Sequence, residues 1–220
     1  MQLSPLRFSD REKRLSLWLG AASLSFGIFV KITSELLEHE VRGLDSSILT
    51  AVARMRRPWL SGIAVDITAL GSFTLVTLIS AIALCVLLSL KDRPAAWQLL
   101  LNSVGAGIWT ELTKNIIERT RPVEVTHLVQ DSGFSYPSGH SLASAALYLT
   151  LAILAGRHLP TTKGRVLVYC LAVIVILLVG MSRLYLGVHY PSDVASGVLL
   201  GAAWALLLAG GFSMIERRAS

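Results

Sequence analysis

Three clusters of polar and ionisable residues punctuate an otherwise apolar chain. The first holds Lys114, Arg121 and Pro122. The second is Pro137-Ser138-Gly139-His140. The third runs from Ser182-Arg183 through His189 to Asp193. Lys114, Arg121 and Arg183 supply three cations. Converging at a low-dielectric margin, they would repel one another unless an anion lay between them. A phosphate meets that demand, and arginine binds it through paired hydrogen bonds. Lys114 and Arg121 are two helical turns apart, so they share a face if one helix carries both. Ser138 reads as a helix cap. Gly139 lets backbone N–H groups approach an anion at the helix start, with His140 in the first turn beside it. His189 and Asp193 come within reach if a helix begins near Tyr190. A carboxylate on one imidazole nitrogen fixes the tautomer and frees the other nitrogen as a nucleophile.

Each cluster alone has a plainer reading. Lys114 also fits an anchor that snorkels to the membrane surface. Ser138 and Gly139 also fit a simple cap, and His189 with Asp193 a helix-capping pair next to Pro191. Arg119 reads as a surface residue paired with Glu118. The combination is far more specific than its parts.

The elements that must position these residues are apolar. The chain has 220 residues, 53% hydrophobic and only 15% charged, with mean hydropathy +0.62. So little charge does not suit a soluble domain of this size. Six apolar runs can be drawn: Leu15–Ile32, Ser72–Leu90, Ala95–Ile117, Ser141–Ala155, Val166–Arg183 and Val194–Phe212. They do not alternate as barrel strands would, so an all-α fold with six transmembrane helices is expected. Between the first two runs, Asp45 to Arg57 places Ile48, Leu49, Val52 and Met55 at helical spacing. This reads as an amphipathic interfacial helix or an ordinary connecting one. Residues 1–220 read as a single domain, with Leu15–Ile32 as a retained first span.

Net charge is +6, which points to anionic headgroups; no basic, aromatic-rich patch suggests nucleic acid. Arg7, Arg11, Lys13, Arg14, Arg217 and Arg218 flank the outermost runs. With both termini cytoplasmic, basic residues favour that side once the three cations of the clusters are set aside. The clusters then converge on the opposite face. Cys85 and Cys170 lie in apolar runs and imply neither a disulfide nor a metal site. No carboxylate cluster suits Mg²⁺, so no metal or other cofactor is expected.

Together the clusters spell Lys-x6-Arg-Pro, Pro-Ser-Gly-His and Ser-Arg-x5-His-x3-Asp over residues 114–193. This resembles the signature of the type 2 phosphatidic acid phosphatase family, shared with vanadium haloperoxidases and bacterial acid phosphatases. The six-run layout looks like its membrane branch. The resemblance implies that His189 attacks phosphorus, Asp193 orients it, and His140 protonates the leaving oxygen. Lys114, Arg121, Arg183, Ser138 and the Gly139 backbone would hold the phosphoryl oxygens. It further implies a multi-pass protein of the bacterial inner membrane whose site faces outward. The leading substrate expectation is undecaprenyl diphosphate, followed by phosphatidylglycerophosphate or phosphatidic acid. The rivals are a haloperoxidase, which six spans disfavour, and a non-catalytic lipid binder, which would be expected to have lost a site residue.

Overall fold

The computed structural model describes residues 9–215. Arg7, Arg217 and Arg218, which enter the orientation expectation, lie outside them. The described residues form eight helices and no strand: α1 (Asp10–Leu37), α2 (Arg42–Arg54), α3 (Pro58–Ala69), α4 (Phe73–Ser89), α5 (Arg93–Ile117), α6 (Gly139–His158), α7 (Thr162–Leu186) and α8 (Pro191–Ile215). The starts follow local chemistry. Ser9 and Glu12 form a capping box at α1, and Ser72, Asp92, Ser138 and Thr161 cap α4 to α7 in turn.

Four helices are long and apolar enough to cross a membrane: α1 over Glu12–Leu37, α6, α7 and α8. A fifth crossing arises if α3 and α4 count as one span bent by 44°. Counted that way, the expected second span is longer than Ser72–Leu90 and broken at Leu70–Ser72. Helix α5 has 25 residues but is not among the helices that qualify, because Gln98, Asn102 and Glu111 dilute its apolar run. By length and apolarity the expected six spans reduce to four or five. Gln98 and Asn102 are buried against the bundle, whereas Asn115 near the end of α5 is exposed.

Helix α6 is the axis of the molecule, packed by α4, α5, α7 and α8, while α1 closes over α8. The α6–α8 crossing is unusually close. A Cβ at Gly201 would fall 2.3 Å from the Leu142 carbonyl oxygen, and one at Gly197 2.6 Å from that of Ser138. Small residues let two helices meet backbone to backbone where the hydrophobic effect offers little drive. The contact fixes the start of α6 against the start of α8. There the Ser138 N–H donates to the Asp193 carbonyl oxygen at 3.0 Å.

Helix α2 corrects the reading of Asp45 to Arg57. It ends at Arg54, and its buried stripe is Asp45 with Leu49, whereas Met55 is exposed. Its inner face rests on α7 and α8 and carries a carboxylate inward.

Candidate active site

The site lies where the α5–α6 connector, the α7–α8 turn and the start of α8 meet. Helix α5 stops at Ile117, and Glu118 turns the chain with φ 49°. Lys114 and Arg121 therefore do not share a helix face; Arg121 arrives on the connector. Gly187 ends α7 with φ 81°, and a Cβ there would meet the Thr126 carbonyl at 3.0 Å. Only glycine allows both that turn and the connector lying across it. Ser135 N–H to Arg119 O (2.8 Å) and Leu128 N–H to Leu186 O (2.9 Å) hold the connector down. Tyr136 is fully buried, its hydroxyl bonded to Thr33 and Ser196, and it anchors the approach to Ser138.

His189 is 1% exposed. Its Nδ1 faces Asp193 Oδ2 at 3.6 Å, an ion-pair distance rather than a direct hydrogen bond. Ser135 closes the gap, with Oγ 3.3 Å from Nδ1 and 2.5 Å from Asp193 Oδ2. The other nitrogen, Nε2, lies 3.3 Å from Arg121 Nη1. A guanidinium can only donate, so Nε2 accepts and the ring proton belongs on Nδ1. Burial lowers the His189 pKa, partly offset by Asp193. The neutral ring thus keeps a lone pair directed at the pocket.

Arg121 is held by backbone oxygens, with Val188 O at 2.9 Å, Ser132 O at 2.9 Å and Gly133 O at 3.0 Å. Arg183 is buried, bonds Thr68 Oγ1 at 3.0 Å, and has an Nε with no partner among the described residues. Lys114 and His140 are within electrostatic reach of Arg183 and Asp131. Ser138 Oγ caps α6, accepting from Ser141 Oγ at 3.0 Å, so its own hydroxyl hydrogen is still available to donate. Gly139 and His140 form the head of an apolar groove of about 1000 Å³ between α4, α5 and α6, lined deeper by Val76, Leu84, Leu99 and Ile108.

Sequence reasoning missed four participants. Arg119 is not a surface residue paired with Glu118. Its Nη1 binds Asp193 Oδ1 at 2.5 Å and its Nη2 binds Asp45 Oδ2 at 2.7 Å, over the face of Tyr190. Asp45 also receives the Ser192 N–H at 2.9 Å. An acidic residue in line with Leu49 and Val52, on the apolar stripe of α2, was the available signal. Ser135 had none. Asp131 had none either. Its carboxylate binds Arg183 Nη2, lies 3.1 Å from Arg121 Nη2, and places Oδ2 3.9 Å from His189 Nε2. Burial pushes this carboxyl up, but Arg183 and Arg121 outweigh burial and hold it below the usual carboxylate range.

A bundle of membrane-length helices, with a neutral histidine, the buried guanidinium of Arg183 and the half-buried one of Arg121 gathered at one end, defines an integral membrane phosphatase. Residues 95–216 match the family model described as the PAP2 superfamily, and the chain belongs to that family. It is 34% identical over 194 residues to phosphatidylglycerophosphatase B of Bacillus subtilis, covering 87% of this chain and 95% of that one. It is 32% identical over 117 residues to an undecaprenyl-diphosphatase of Sulfolobus acidocaldarius, about half of each chain (51% and 52%). The crystal structure of a transmembrane PAP2-type phosphatidylglycerolphosphate phosphatase from Bacillus subtilis matches with TM-score 0.82 at 30% identity, over 90% of this chain and 97% of that one.

Proposed function

We propose that this protein removes the terminal phosphate of a membrane lipid in two steps through a phosphohistidine on His189. The carrying observation is the polarity of that ring. Nδ1 is tied to Ser135 and Asp193, while Nε2 faces the guanidinium of Arg121. In the first step the Nε2 lone pair attacks phosphorus, the ester or anhydride P–O bond breaks, and the leaving oxygen takes a proton from His140. In the second, His140 takes a proton from water, whose oxygen attacks phosphorus. The P–N bond breaks, and inorganic phosphate leaves. Lys114, Arg121, Arg183, the Ser138 hydroxyl and the Gly139 N–H hold the phosphoryl oxygens, since phosphoryl transfer is mainly positioning and charge stabilisation. No metal is required, because the three cations supply that charge. Asp193 positions His189 and stabilises its charge.

The groove headed by His140 supports a lipid substrate, with the tail lying between α4 and α5. The likeness to phosphatidylglycerophosphatase B over 95% of that relative's length favours phosphatidylglycerophosphate. Undecaprenyl diphosphate is the second reading, supported by the half-length relative. We assign α5 as a further crossing and place both termini in the cytoplasm of a bacterial inner membrane, with the site outside.

The test is phosphate release by the purified protein on phosphatidylglycerophosphate, undecaprenyl diphosphate, phosphatidic acid and lipid A at matched micellar concentration. A preference above about tenfold, roughly 1.4 kcal/mol in the transition state, names the substrate. Alkaline denaturing quench, under which the P–N bond survives, should trap phosphate on wild type and not on His189→Gln. Release without any trapped or His189-dependent intermediate defeats the reading. Ser132, exposed on the connector, reports the side: Ser132→Cys should react with an impermeant maleimide added outside intact cells.

A further inference from the structure

Asp131 occupies the place that a phosphoryl group needs. Its carboxylate is gripped by Arg183 Nη2, lies beside Arg121 Nη2 at 3.1 Å, and holds Oδ2 3.9 Å from His189 Nε2. A reacting atom sits about 3–3.5 Å from its nucleophile. With Asp131 in this position, no phosphorus can reach Nε2. The carboxylate also leaves part of the cradle unused. It offers two oxygens, while Arg183 Nε keeps a buried donor with no partner among the described residues. Asp131 belongs to the non-helical connector, next to exposed Ser132 and Gly133. The connector borders an open recess of about 640 Å³ lined by His127, Gln130, Asp131 and Ser132, which gives the side chain somewhere to go.

We propose that Asp131 is a specificity-determining residue of the phosphoryl site. Its carboxylate is the resting occupant of the cradle and yields to a terminal phosphate but not to a phosphodiester. The inference rests on the reading of the cradle given above. A phosphodiester headgroup carries one negative charge, so exchanging it for the carboxylate adds no charge among Lys114, Arg121 and Arg183. A terminal phosphate brings roughly 1.5 to 2 charges and three acceptor oxygens. One of those oxygens can meet the unpartnered Arg183 Nε. A site embedded among membrane phosphodiesters at high local concentration would otherwise be filled by them.

The experiment compares wild type with Asp131→Asn, Asp131→Ala and Asp131→Glu as full chains in detergent micelles. Orthophosphate affinity is measured directly by calorimetry, and inhibition of phosphate release by added phosphatidylglycerol is measured alongside. Thermal unfolding checks that each variant is folded. Asp131→Asn keeps the shape and removes the charge. It should bind orthophosphate about tenfold or more tightly, the scale of one charge-assisted hydrogen bond, and become sensitive to phosphatidylglycerol. Asp131→Ala repeats the test if the amide variant unfolds. Asp131→Glu should stay near wild type in both readouts. Equal or weaker orthophosphate binding by both neutral variants overturns the gate and leaves the cradle intact. Equal tightening by Asp131→Glu overturns the charge argument. Orthophosphate binding by none of the four proteins overturns the cradle itself, and the gate with it.

Discussion

Arg119 Nη1 lies 2.5 Å from Asp193 Oδ1, and the same guanidinium reaches Asp45 Oδ2 at 2.7 Å. One connector residue thereby joins a carboxylate on α2 to one on α8. Burial lowers the Arg119 pKa, but Asp193 and Asp45 outweigh it and raise the group above its ordinary value. Breaking a buried pair strands a charge, at a cost of about 3–5 kcal/mol. Arg119→Ala should lose stability on that scale, seen as a lowered Tm. Arg119→Lys should lose less, because it keeps the charge but cannot fork to both carboxylates. A change within about 0.5 kcal/mol, as at an ordinary surface site, would restore the surface reading.

Ser135 makes a separate prediction. Its hydroxyl spans His189 Nδ1 and Asp193 Oδ2, and it is fully buried. Ser135→Ala leaves Asp193 Oδ2 with the Tyr190 N–H at 2.8 Å but without the hydroxyl. A stability loss of about 1–3 kcal/mol is expected. The kcat should fall about tenfold, about 1.4 kcal/mol in the barrier, with KM little changed. Unchanged kcat would remove Ser135 from the positioning of His189.

The buried His189 ring gives a pH dependence of stability. Its folded pKa is lowered by burial. The unfolded chain has the ordinary value, about 6.5. Below that value the unfolded state binds a proton that the folded state refuses, so stability falls as pH falls. The slope from this one group is at most about 1.4 kcal/mol per pH unit. Thermal unfolding between pH 7 and pH 5 should show the loss, and His189→Gln should flatten it. An identical slope in the two proteins would mean that His189 does not titrate as stated.

The α6–α8 contact predicts a contrast between two glycines on one helix. Gly201→Ala places a methyl group 2.3 Å from a carbonyl oxygen, whereas Gly211 has open space around it. Overpacking of this kind costs about 1–3 kcal/mol. Gly201→Ala should lower Tm and also kcat, since α8 carries Asp193 and α6 begins at Ser138. Gly211→Ala should change neither by more than about 0.5 kcal/mol. Equal behaviour of the pair would mean that the close crossing is dispensable.

Substitution of the proposed nucleophile and removal of metals form the last prediction. His189→Gln should reduce phosphate release by roughly 10⁴-fold or more. Exhaustive chelation should leave wild-type activity unchanged. Activity lost on chelation and restored by Mg²⁺ would assign the charge stabilisation to a metal instead of Lys114, Arg121 and Arg183.

Much of this molecule was written locally. Apolar runs must form helices in a bilayer because the backbone has no other partners there, and Ser72, Ser138 and Thr161 cap helices through bonds only three residues long. The approach of His189 to Asp193 was legible for the same reason, since four positions separate them across the start of α8, but the Ser135 hydroxyl that links them was not. Lys114 and Arg121 were legible as cations but not as neighbours, because the left-handed turn at Glu118 ends α5 between them. The count of crossings differs over α5, which the sequence presents as an apolar run but whose Gln98, Asn102 and Glu111 keep it below the apolarity of a span, with Gln98 and Asn102 turned inward.

The sequence by itself determined the helical membrane fold, the three signature clusters and the chemistry open to them. Residue types and short spacings carry that information. Tertiary structure alone decided which charges meet. Asp45 and Ser192 bond across 147 positions, Arg119 is half-buried between α2 and α8, and Asp131 folds back from a loop against Arg183 and Arg121. Electrostatic partnership depends on distance in space and on burial. Neither follows from local pattern once the chain has closed on itself.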